Sequence, residues 1–255
     1  IWPQTPPAKS PWSTPCWLGG LRDAYLAADA AGEVTLVNTL LAQGNYQSPN
    51  SAYLEPEWAS SDKAKERFGY QRPYCRLGST IQRVGTSSYG PCPGTSLGYP
   101  SGHSRIGWIE GIGLAVMLPE VAPQIMARTA EIVNGRVVLG VHSPLDVMAG
   151  RAIATRMIAY RLSDPVWKMK FDAARSQLRR ALEAHCGKTI ARCLADSPPT
   201  MSAADAVKTE RDALTYGLPP VGQTGLPLKA PHYSSQLLAY AFPNATEAER
   251  LTILE

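Results

Sequence analysis

The stretch SGHSRIGWIEGIGLAVMLPE, residues 101–120, decides how this chain must fold. From Ile106 to Leu118 it is apolar on nearly every side and interrupted only by Glu110. A helix with no face to give to water belongs at the centre of a fold, and this one is too short to span a bilayer. The helix should begin near Ser101, where serine and glycine suit a helix start, and Pro119 and Pro123 break the pattern at the far end.

Working outward, the spacing predicts a second helix from about Gln124 to Leu139 and a third over roughly Pro144 to Leu162. Asp164 then caps a fourth, with Pro165 at its first position and Trp167, Phe171, Ala174, Leu178 and Leu182 along one face. Upstream, Leu21 to Gln43 reads as two helical stretches, with Leu36, Val37, Leu40 and Leu41 as an apolar stripe. Pro56 to Phe68 reads as a further helix ended by Gly69, and residues 74 to 99, rich in Gly, Ser, Pro and Tyr, as a surface loop. Residues 1 to 19 carry five prolines and read as an extended arm. Strand signals are scarce, so the expected fold is all-α, a helical bundle.

Beyond Cys193 the texture changes. Ser202 to Leu214 can be helical, Tyr216 to Pro231 is Pro/Gly-rich, and residues 232 to 255 look helical again. The expected organisation is one domain over 1–255, with the arm at 1–19, a catalytic core at 60–160 and a C-terminal extension at 194–255 that wraps the bundle. The end at Glu255, inside an apparent helix, implies that the natural chain continues.

The 255 residues are 44% hydrophobic and 18% charged, which is globular rather than disordered. A formal charge of +4 is mild, and no Lys/Arg run marks a nucleic-acid stripe or a polybasic membrane anchor. The reading is a soluble protein without nucleic-acid partners or membrane insertion; a homo-oligomer is left open. The first residue is Ile1, not Met, which reads as a mature form with any signal peptide removed. Five cysteines favour an oxidising compartment. Cys75 could pair with Cys92 and Cys186 with Cys193, leaving Cys16 over, whereas five buried thiols is the plainer alternative. No C-x-x-C pair or histidine cluster proposes a metal.

The polar residues fall into three blocks: Lys65 to Arg72 and Pro73; Pro100, Ser101, Gly102 and His103; and Arg136 with His142 and Asp146. A phosphoryl group in transfer spreads negative charge over its oxygens and needs fixed cations and N–H donors around it. Lys65, Arg72 and Arg136 can supply the cations. Ser101 and Gly102, at a helix start, can supply backbone N–H groups and a favourable dipole. Asp146, four residues after His142, can hold the Nδ1–H and leave Nε2 to attack phosphorus, while His103 protonates the leaving group. Each feature alone has an ordinary explanation: a solvated helix face, a structural hydrogen bond, a capped turn. Their combination points to a metal-independent phosphatase that needs no cofactor.

Lys65-x6-Arg72-Pro73, Pro100-Ser101-Gly102-His103 and Arg136-x5-His142-x3-Asp146 together resemble the three-part signature of the type 2 phosphatidic acid phosphatase superfamily. That group includes class A non-specific acid phosphatases, lipid phosphate phosphatases and vanadium haloperoxidases. The wording from Gly98 to Trp108 is most similar to the soluble class A enzymes. The resemblance covers roughly residues 60 to 160. It implies a mostly helical fold and periplasmic or secreted hydrolysis of small-molecule phosphate monoesters. By that resemblance His142 is the phosphorylated nucleophile, Asp146 its orienting partner and His103 the general acid. Lys65, Arg72, Ser101, Gly102 and Arg136 bind the phosphate oxygens. Gly135 departs from the family, which usually has serine before the arginine. Two other enzyme classes stay in view, a haloperoxidase using vanadate as cofactor and a lipid phosphate phosphatase, beside a phosphate-binding protein without turnover.

Overall fold

The computed structural model describes residues 18–42, 57–82, 91–92, 97–223 and 225–255. It is all-α: no strand occurs among the described residues, and the only β-type pairing there is an isolated antiparallel bridge between Gln71 and Leu97. Helices α1 (Leu21–Ala30) and α2 (Thr35–Ala42) lead to α3 (Ser61–Phe68) and the short α4 (Pro73–Arg76). The long elements follow: α5 (Gly102–Met117), α6 (Ala122–Val138), α7 (Pro144–Ser163) and α8 (Pro165–Cys186). Then come α9 (Ile190–Asp196), α10 (Ala203–Thr215) and α11 (Glu247–Leu254).

Helix α5 is the central element, as its composition requires. It packs along both α6 and α7, and all but three of its sixteen residues are buried. Trp108, Ile109, Ile112, Leu114 and Met117 enter one apolar core with residues of α1, α2, α6, α7 and α8. Two glycines set how closely the helices approach. A Cβ at Gly111 would collide with the Thr129 side chain on α6, and one at Gly150 would lie 2.6 Å from the Ser101 carbonyl oxygen. The second contact matters most for the site, because it sets the start of α7 against the start of α5.

Most helix boundaries follow the expected capping chemistry. Ser101, Ser143, Asp164 and Ser202 each accept a backbone N–H at the first turn of α5, α7, α8 and α10. The differences are local. The single helix expected from Pro56 to Phe68 is a 3-10 turn at Glu57–Ala59 followed by α3, because Ser60 caps a new start by accepting from the Lys63 N–H. The loop expected over 74–99 contains α4 and the 3-10 turn Gly78–Thr80, since Pro73 is preset for a first helical position. The helical tail expected over 232–255 is a 3-10 turn at Ser234–Leu238 and then α11, which opens on a Thr246–Glu249 capping box. On α2, Leu36 is 47% exposed while Val37, Leu40 and Leu41 are buried.

Disulfides join Cys75 to Cys92 and Cys186 to Cys193. Cys16 and most of the proline-rich arm lie outside the described residues. No single described helix is long and apolar enough to cross a membrane; α5 and the 119–138 segment pass that test only together, across a 114° bend.

Candidate active site

Three backbone devices bring the polar blocks to one place. The Ser101 N–H donates to the Asp146 carbonyl (2.9 Å) and the buried Ser104 hydroxyl donates to the Val147 carbonyl (2.6 Å), tying the start of α5 to the first turn of α7. At the end of α6 the chain turns through Gly140, whose φ of +65° suits a residue without Cβ, and the His142 N–H returns to the Arg136 carbonyl (3.1 Å). The Tyr74 N–H donates to the Gly140 carbonyl (3.2 Å), which anchors the Arg72 segment to the same turn.

The expected site residues therefore converge. The rings of His103 and His142 face each other with centroids 6.5 Å apart. A Cβ at Gly102 would lie 3.7 Å from Lys65 Nζ, which places that ammonium group at the N-terminus of α5. An Arg72 guanidinium nitrogen lies 2.9 Å from His142 Nε2 and donates also to the Val141 carbonyl (3.1 Å). Arg136 is buried and acts electrostatically on both imidazoles. Lys65 and Arg72 do not share a helix: α3 stops at the left-handed Gly69, and Arg72 is the N-cap of α4. Their convergence comes from the turn between the two helices. Lys65 also pairs with Asp62 at 3.2 Å.

The tautomer of His142 follows from its partners. Arg72 can only donate, so Nε2 accepts and carries no hydrogen. The proton is then on Nδ1, which lies 3.3 Å from Asp146 Oδ2. The same carboxylate oxygen accepts the Ser143 N–H at 2.8 Å, while the Ser143 hydroxyl accepts the Asp146 N–H at 3.3 Å. Asp146 thus closes the capping box of α7 and orients the imidazole with one atom. A Cβ at Gly98 would lie 3.0 Å from that oxygen, so the segment preceding Ser101 needs its glycine to pass there.

Charge in the pocket is strongly biased toward cations. Burial, and then Arg136, His142, Arg72 and Lys65, lower the His103 pKa to about 3. Burial also lowers His142, to about 4; Asp146 opposes the shift, and Arg72 and Arg136 add to it. Burial works to raise Asp146, but the hydrogen bonds from His142 and Ser143 hold it below the ordinary aspartate value. Imidazoles that resist protonation, beside the buried Arg136 and the half-buried Arg72, leave a pocket whose electrostatics can accept an anion.

Sequence reasoning missed Ser143, Ser104, Gly98 and Gly150 as supports. Ser143 had a readable signal, since Ser-Pro-Leu-Asp over 143–146 is a capping box with proline at the first position. Gly98 and Gly150 carry no local signal, because only the approach of a distant segment requires them. At Gly135, where the resemblance leads to serine, a Cβ would meet nothing within 4 Å, so the missing side chain leaves no steric mark. Among the described residues no three His, Cys, Asp or Glu side chains cluster as metal ligands would.

The chain is similar to known acid phosphatases over part of its length. Over 128 residues the chain is 31% identical to an acid phosphatase of Zymomonas mobilis subsp. mobilis, covering 50% of this chain and 47% of that one. Over 121 residues it is 30% identical to a non-specific acid phosphatase of Providencia stuartii, covering 46% of each. The chain thus spans about half the length of the curated relatives it matches. The match to the PAP2 superfamily runs from residue 52 to residue 170 and encloses every residue of the pocket. Over that stretch, just under half of the chain, the sequence is similar to the PAP2 superfamily.

Proposed function

We propose that this protein is an acid phosphatase that hydrolyses small-molecule phosphate monoesters through a phosphohistidine on His142, with neither metal nor cofactor. The observation that carries this reading is the Arg72–His142–Asp146 chain of contacts, with His103 facing it 6.5 Å away. The names of the two relatives, acid phosphatase and non-specific acid phosphatase, support the phosphatase part of the reading.

In the proposed reaction, the phosphate enters between Lys65, Arg72, Arg136 and the Ser101–Gly102 turn. Its oxygens take over the Arg72 donor that now occupies Nε2, which frees the ring nitrogen to attack. The Nε2 lone pair forms a bond to phosphorus as the ester P–O bond breaks. Asp146 stabilises the positive charge that develops on the ring. His103 gives a proton to the leaving alkoxide. In the second half, His103 removes a proton from water, the hydroxide attacks phosphorus, the P–N bond breaks and inorganic phosphate leaves.

General acid catalysis by His103 requires it to hold a proton while His142 stays a base. The pocket sets both histidines low: burial depresses each, the cations beside them add to it, and Asp146 opposes the shift at His142. The proton must therefore arrive with the substrate. A phosphate monoester has its second pKa near ~6, so below that it enters as a monoanion carrying a proton. Its negative charge offsets the cations that depress His103.

The two disulfides suit an oxidising compartment and support a periplasmic or extracellular location as part of the proposal. The reading is tested with p-nitrophenyl phosphate at mildly acidic pH, with EDTA and with vanadate. Turnover should survive the chelator and stop with vanadate. An alkaline quench after brief exposure to labelled ester should leave label on His142. A His142→Ala protein that keeps normal turnover would refute the nucleophile assignment.

A further inference from the structure

Ser61 opens α3 and is only 3% exposed, yet its hydroxyl caps nothing. The cap of that helix is Ser60, whose side chain accepts the Lys63 N–H. Among the described residues no hydrogen bond engages the Ser61 hydroxyl. A buried hydroxyl without a partner is destabilising, so a group left in that state calls for an acceptor from outside the protein.

The surroundings of Ser61 indicate what that acceptor is. Ser61 and Lys65 are four residues apart on α3, so they share one face of the helix. That face meets the start of α5. The two atoms that a Cβ at Gly102 would find within 4 Å are Ser61 Oγ at 3.5 Å and Lys65 Nζ at 3.7 Å. Hydroxyl and ammonium group therefore border one spot beside the Ser101–Gly102 turn, where backbone N–H groups and the helix dipole favour an anion. The lack of a side chain at residue 102 leaves the turn open to whatever Ser61 and Lys65 hold. A second opening, the apolar cleft of about 640 Å³ lined by Phe68, Tyr99, Leu145 and Met148, lies against Asp146 on the Nδ1 side of His142. It contains neither Ser61 nor any of the phosphate-holding residues.

We propose that Ser61 is a further phosphate-binding residue, whose hydroxyl donates to the ester oxygen that Lys65 engages. The proposal rests on the phosphatase reading of the pocket. A phosphate oxygen at that spot accepts from a neutral donor and a cation together, and it satisfies a hydroxyl that the described residues leave unpaired.

Orthophosphate is the probe, because it fills the oxyanion site without turnover. Ser61→Ala removes the hydroxyl and little volume. It should weaken orthophosphate about tenfold in calorimetric titration, the scale of a hydrogen bond to a charged acceptor. Without phosphate its melting temperature should be no lower than that of the parent, since the hydroxyl has no partner to lose. Lys65→Met tests whether the hydroxyl acts only through the ammonium group. On that background Ser61→Ala should again weaken orthophosphate, read as a smaller phosphate-induced rise in melting temperature, which registers even weak binding. Parent-like orthophosphate affinity in Ser61→Ala, or an effect that vanishes once Lys65 is replaced, would overturn the proposal. Either result beside normal ester turnover by the parent leaves the phosphatase reading standing. A parent that neither binds orthophosphate nor hydrolyses the ester removes both.

Discussion

Replacing Asp146 by Asn and by Ala should give two very different proteins, because both hydrogen bonds to its side chain converge on one oxygen. Oδ2 accepts from the Ser143 N–H and lies within reach of His142 Nδ1–H. An asparagine with its carbonyl oxygen in that place keeps both contacts and loses only the charge. A charge-assisted hydrogen bond is about twice as strong as a neutral one, a loss of about 1–1.5 kcal/mol or roughly tenfold in rate. The Coulomb attraction between Asp146 and an imidazolium at 3.3 Å bounds the effect from above at roughly 5 kcal/mol with an effective dielectric of about 20. The expected fall in kcat for Asp146→Asn lies between these, at about 10²-fold. Alanine removes the acceptor itself. Once Arg72 turns to the phosphate, nothing then holds the proton on Nδ1, and the loss should approach about 10⁴-fold, the scale of lost tautomer control. Stability should divide the same way. Asparagine forfeits only the interaction of a carboxylate with the start of α7, about 0.3–1 kcal/mol. Alanine strands two donors and should cost about 2–4 kcal/mol. Steady-state kinetics and thermal melts on the two variants decide the matter. Equal kcat in both, or an Asn variant as unstable as the Ala variant, would refute the assignment of both tasks to Oδ2.

The pH dependence has a defined sign. Because kcat/KM reports groups of the free enzyme, its acid limb should rise through the His142 value of about 4. In Asp146→Asn that limb should move to lower pH, since Asp146 is the group that raises His142. Between the ordinary histidine value of 6.5 and the folded values of about 4 and about 3, the unfolded chain binds more protons than the folded one. Stability should therefore fall as pH drops through that window, and denaturant titrations of His103→Asn should show a shallower fall. Gly150→Ala drives a methyl group into the Ser101 carbonyl and the Arg105 nitrogen, so it should cost about 1–3 kcal/mol by overpacking. It should also lower kcat by displacing the anion-binding turn; unchanged melting and unchanged kcat would show that the α5–α7 approach does not set the site.

What the sequence disclosed and what it withheld divide along a physical line. Helices α5, α7 and α8 were legible because each carries its own boundary chemistry: Ser101 as a cap, Pro144 and Pro165 at first positions, Asp164 accepting the Val166 and Trp167 N–H groups. The polar residues were legible because their identities and spacings are tied to one reaction. Contacts that depend on two distant segments were not. Nothing near Gly150 announces that the Ser101 carbonyl will press against it, and nothing near Phe68 announces Tyr99. The breaks at Ser60 and after Leu238 were missed for a related reason. A weak helical pattern was read as continuous where a local cap or turn restarts the chain. The α7 stripe from Leu145 to Ala152 shows this limit most sharply. The sequence leads only to a helix there, because period alone states which residues share a side and not what lies opposite. Val147 and Ala154 face the core, whereas Leu145 faces a cleft beside the acid that orients His142. An amphipathic helix tells where water is excluded; whether protein or ligand excludes it is decided only when the other segments arrive.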